Sequence, residues 1–154
     1  MDAIKLNFIL TGFLPLLNNL SADAKGKWGK MNGQQMVEHL SGFFAISTGK
    51  IKFPLVTPIE QLPKYREFLL SDKEFRENTK APVLPDEPFP VRFETMAESL
   101  TALKTEVKDF NGQFSNDEKL QRLHPVFGEL NYEEWVLLHY KHVTHHLKQF
   151  GLMV

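Results

Sequence analysis

The chain has 154 residues, 42% hydrophobic and 24% charged, the size and make-up of a single globular domain spanning 1–154. Its 18 Lys and Arg against 19 Asp and Glu leave a formal charge of −1, with no basic excess for a nucleic acid or a polybasic membrane anchor. There is no Cys, which excludes disulfide frameworks, thiolate zinc sites and Cys nucleophiles, whereas four of the six His fall between 139 and 146.

The first apolar-periodic segment runs from Asp2, an N-cap residue, towards Leu20, and Pro15 predicts a kink or an end within it. Its stretch Phe8–Leu17 spans about half a bilayer. It resembles the apolar part of a signal peptide, and Ala22-Asp23-Ala24 mimics a cleavage site. The lead-in Met1–Lys5 has no net positive side-chain charge, so the expectation is a buried first helix in a cytoplasmic protein, with no membrane partner.

A second helix is predicted from the capping box of Asn32 and Gln35 to about Thr48, with Gly49 as its stop. Next comes a connection from about 50 to 93 that holds seven of the nine prolines. A short helix is expected there around 59–70, and Pro82–Pro90 reads as extended and solvent-facing. The third long helix, near Thr95 to Phe110, opens on a second capping box, Thr95 and Glu98. Met96, Leu100, Leu103, Val107 and Phe110 mark one face of it. The fourth opens on Asn131 and Glu134, and Gly151 stands where a C′ residue belongs. Segments 19–31 and 111–130 read as loops, and no run sustains the alternation of a strand. The predicted fold is all-α: an up-down-down-up four-helix bundle with one long Pro-rich crossover between helices 2 and 3.

The fourth helix concentrates the chemistry. His139, His142 and His146 share one stripe of the helical wheel beside Trp135 and Gln149, while His145 points away. His142 and His146 are four apart, so their Cβ atoms lie about 5–6 Å from each other. That spacing lets two imidazoles close on one ion with bonds of about 2.0–2.1 Å. His139 is two turns from His146 and cannot join it on the same ion without strain. On the second helix His39 sits inside the apolar stripe, where a ring nitrogen needs a partner. A lone core His usually finds one by hydrogen bonding; facing an i,i+4 pair on another helix, a metal site is the better reading. Three neutral imidazoles would leave a coordination position open, and both zinc and nickel suit them.

These residues resemble the DinB/YfiT-like superfamily of metal-binding four-helix bundles. Trp28-Gly-Lys-Met-Asn-Gly-Gln-Gln-Met-Val-Glu-His39-Leu is similar to the family's second-helix motif, and His142-Val-Thr-His145-His146-Leu-Lys-Gln149 to its C-terminal one. His124-Pro-Val-Phe-Gly128 followed by Trp135 resembles one subfamily more closely. The resemblance implies His39, His142 and His146 as the ligands of a divalent ion in a bundle that is commonly a homodimer. It also implies a metal-dependent hydrolase or a thiol-dependent transferase, the latter using a low-molecular-weight thiol, on a small-molecule substrate. Leu147-Lys148 stands where better-known members have Arg-Gly, which implies a different substrate.

His139, His145 and Gln149 are the further candidates for supporting the ligands or lining the pocket. Glu38, about 100° round the helix from His39, reads as a solvated face residue, and His124-Pro125 as ordering the loop before the last helix. The alternative function is a non-catalytic bundle stapled by its metal and acting in binding or dimerisation. A third reading is a dry bundle whose core histidines are hydrogen-bonded.

Overall fold

A computed structural model describes residues 1–154. The protein is mainly helical, with five α-helices and one short antiparallel hairpin. Asp2 caps α1 (Ala3–Asn7) as expected, but the first segment is not one continuous helix. It passes into a π turn at Phe8–Gly12 and a 3₁₀ turn at Leu14–Leu17. Pro15 has no N–H to continue an α-helical ladder, and the chain tightens where it falls. Ile9, Phe13 and Leu17, four apart, are fully buried all the same, so the segment keeps one apolar face on the core.

Helix α2 (Gly33–Ser47) starts on the expected capping box. Asn32 Oδ1 accepts from Gln35 N–H at 2.8 Å, and Gln35 Oε1 accepts from Asn32 N–H at 2.9 Å. After a 3₁₀ turn at Ile59–Gln61, α3 (Leu62–Leu70) occupies the place predicted for the short helix. Helix α4 (Met96–Ser115) runs past the predicted end at Phe110, because Phe114 continues its buried stripe of Leu103, Val107 and Phe110. Helix α2 packs most extensively against α4.

The predicted loop 111–130 contains the hairpin. Strand β1 (Arg122–His124) pairs with β2 (Gly128–Leu130), with Leu123 opposite Glu129. His124 orders the turn: its Nδ1 accepts the N–H groups of Val126 and Phe127 at 3.0 and 3.2 Å. Helix α5 (Tyr132–Gln149) begins on the Asn131–Glu134 box, and Gly151, at φ 69°, turns the chain out of it. Trp135 Nε1 donates to Arg122 O at 3.2 Å, seating α5 on the hairpin.

The long crossover therefore joins α2 to α4, with α3 inside it. Its Pro82–Pro90 stretch is largely exposed but not uniformly extended, since Leu84 N–H closes a turn onto Ala81 O at 3.2 Å. The crossover is tied down at its middle and near its end. Lys141 on α5 donates to the Ser71 and Lys73 carbonyls just past α3, and Gln35 Nε2 on α2 donates to Phe89 O at 3.1 Å. No helix is long and apolar enough to cross a membrane.

Candidate metal centre

Helices α2 and α5 bring three imidazoles together. The Nε2 of His142 lies 2.9 Å from that of His39 and 3.1 Å from that of His146, and the three donor atoms lie within 4.8 Å of one another. Bonds of about 2.0–2.1 Å to one ion allow donors up to about 4.2 Å apart; His142 meets that limit with each neighbour, and the widest separation in the triad, up to 4.8 Å, would have to close slightly to share one ion. His142 and His146 are buried, while His39 is half-buried and opens onto a cleft. Phe43, one turn after His39, stacks on the His142 ring with centroids 3.9 Å apart.

Burial keeps these rings neutral, which is the form that ligates. It lowers the His39 pKa to about 4, with the nearby His145 adding to the effect. Burial and then the facing imidazoles hold His142 well below the usual histidine range. His146 is lowered likewise by burial and by His39.

The tautomer of His146 follows from a short chain of hydrogen bonds. Gln149 Nε2 donates to Trp28 O at 2.9 Å, so its other amide atom, Oε1, is the one facing His146. His146 Nδ1 lies 2.7 Å from that oxygen and must be the protonated nitrogen, leaving a lone pair on Nε2. The loop that supplies Trp28 O is shaped for this contact. Gly29 sits at φ 79°, and a Cβ there would stand 2.7 Å from Gln149 Nε2. Lys27 N–H also donates to Gln149 O at 2.7 Å. His142 differs: its Nδ1 is buried without a partner, and only its Nε2 has neighbours within hydrogen-bond distance, the Nε2 atoms of His39 and His146.

The remaining candidates separate. Gln149 supports His146 directly. His145 is half-buried on the cleft between Trp28 and Phe75, with ring centroids 5.5 and 6.0 Å away. His139 neither supports the three clustered imidazoles nor lines the cleft. It is fully buried in the core, stacked on Phe44 at 3.8 Å. Its Nε2–H donates to Ser47 Oγ at 2.9 Å, because that hydroxyl spends its own proton on Phe44 O.

Glu38 departs furthest from expectation. It is buried rather than solvated. It accepts from Arg92 N–H at 2.7 Å, from Ser99 Oγ at 2.9 Å and, at 3.5 Å, from Phe93 N–H. Burial raises its pKa, but these donors and the Arg92 charge outweigh burial and leave it lowered. Glu38 thereby fixes the end of the crossover beside His39. The helical wheel missed it because the crossover, not solvent, covers that face of α2.

Above the imidazoles lies a cleft of about 1850 Å³, bounded by α2, α5, the hairpin turn and the crossover. Fold and site define a mainly helical domain with an imidazole triad at the floor of a large open cleft. A family model described as "Protein of unknown function (DUF1569)" matches residues 56–153, more than half of the chain, and the protein belongs to that family. The matched region contains His142, His146 and Gln149; His39 lies before it. Comparison with curated proteins and with solved structures gives no match.

Proposed function

We propose that this protein is a metal-dependent enzyme of the DinB/YfiT-like type, its long helices arranged as an up-down-down-up four-helix bundle. In this reading His39, His142 and His146 hold one divalent ion, zinc or nickel. The reaction is hydrolysis or thiol-dependent group transfer on a small molecule. The observation that supports it most is the convergence of three neutral imidazole Nε2 atoms, one of them held in its ligating tautomer by Gln149.

Bound there, a divalent ion would supply a Lewis acid to an oxygen or sulfur reaching it from the cleft. The chain's own residues do the rest. Phe43 fixes the plane of His142, and Gln149 with Trp28 O fixes that of His146. Glu38 anchors residues 92 and 93, of which Arg92 lines the cleft. With no Cys in the chain, a thiol reactant must enter as a bound molecule.

Metal analysis of the purified protein, before and after chelation, tests this together with turnover on a panel of esters, amides and thiol-reactive electrophiles. The expected result is one divalent ion per chain and a turnover abolished by chelation and restored by zinc or nickel. A metal that supports melting temperature but no turnover would favour the stapled, non-catalytic bundle. A metal-free protein that zinc cannot load would overturn both.

A further inference from the structure

The cleft has a definite chemical character apart from its floor. Trp28, Phe43, Phe53, Phe68, Phe75 and Phe127 line it, drawn from the loop before α2, α2 itself, the crossover and the hairpin turn. Every carboxylate that lines it is already paired: Glu38 with Arg92, Glu74 with Lys148, Asp86 with Lys80, and Glu87 with Lys30. Three of its cations have no such partner. Lys64, Lys73 and Arg76 are exposed, line the cleft and make no salt bridge, and all lie within thirteen residues of chain, 64–76. An aromatic trough whose lining carries three unpaired cations and no unpaired carboxylate complements a molecule that is apolar in body and negative at one end.

We propose that the ligand of this cleft is an amphipathic anion, an aromatic or aliphatic body ending in a carboxylate, sulfonate or similar group. Its body lies along the aromatic wall, and its charge is met by Lys64, Lys73 and Arg76. This deepens the enzymatic reading by assigning a substrate class, and it rests on that reading only for what happens at the imidazoles. The anion preference belongs to the wall and to the 64–76 cations, so it persists in chelated protein.

The test is a fluorescence titration of the chelated full-length protein with 8-anilinonaphthalene-1-sulfonate, alongside its uncharged counterpart N-phenyl-1-naphthylamine. The sulfonate is expected to bind at one site per chain and more tightly than the neutral dye. Decanoate should displace it, and decylammonium at the same concentration should not. The surface substitutions Lys64→Glu and Arg76→Glu together should weaken the sulfonate about fivefold at low salt and much less at 0.5 M salt. Unchanged far-UV circular dichroism and melting would show that the variant is folded. Equal affinity for both dyes, displacement by decylammonium, or an unaltered affinity in the double variant would overturn the proposal. Zinc loading is measured separately on the same samples, so loss of the metal reading and loss of anion selectivity are distinct results.

Discussion

At the scale of single residues, the imidazole triad depends on side chains that stand behind it. Gln149 sets which nitrogen of His146 is bare, and it can do so only because Trp28 O fixes the amide's orientation. Gln149→Ala should therefore leave the fold intact and weaken zinc about 10–100-fold, read by competitive titration. His124 gives a second prediction. Burial lowers its pKa to about 3, whereas an unfolded chain titrates near the ordinary 6.5. The unfolded state takes up that proton first, so the stability His124 contributes is complete above about pH 6.5. It is lost as pH falls towards 3, at up to about 1.4 kcal/mol per pH unit. Buried His139, also held well below the usual range, acts in the same direction. Urea unfolding of the chelated protein from pH 7 to pH 4 should show this fall. His124→Asn, whose carbonyl can accept the same two amides, should make the fall shallower by the share of one histidine, leaving the part due to the other buried rings.

At the scale of elements, the caps and stripes were legible and the tertiary exceptions were not. The boxes at Asn32 and Asn131 and the Thr95 cap begin their helices where local chemistry predicts. The i,i+4 spacing of His142 and His146 needed only helical geometry to be read. Three-residue strands are too short to show an alternation, so the hairpin was invisible until His124 could be seen bonding its turn. Glu38 falls on a face of α2 that a helical wheel assigns to solvent, and residues 92 and 93 return over it from far along the chain. His139 shared the ligands' stripe, but two turns of rise put it among Phe44, Phe110 and Trp135. The crossover anchor is itself testable. Glu38→Ala leaves the Arg92 and Phe93 amides and the Ser99 hydroxyl without their acceptor, and should destabilise by about 1–3 kcal/mol in urea unfolding. Glu38→Gln, which keeps a carbonyl acceptor, should cost less.

At the scale of the whole molecule, helix α5 is the element to which everything else is referred. It seats on the hairpin through Trp135, holds the crossover through Lys141, and presents two imidazoles to the third on α2. Burial along α2 and α5 therefore both stabilises the fold and keeps the site's rings neutral. An ion that binds only this folded arrangement must stabilise it. At a free zinc concentration about a hundred times its Kd, unfolding should become harder by about 2.7 kcal/mol. Thermal melts with and without zinc would register this as a rise in Tm.

Whether His39, His142 and His146 together form one metal centre is decided by zinc stoichiometry in the wild type and in three single alanine variants. One tightly held ion per wild-type chain is expected. Stoichiometric binding should be lost in His39→Ala, His142→Ala and His146→Ala, with His139→Ala retaining the ion whenever it folds. A wild-type chain that takes up no zinc, or three such variants that all keep it, would rule out this metal centre.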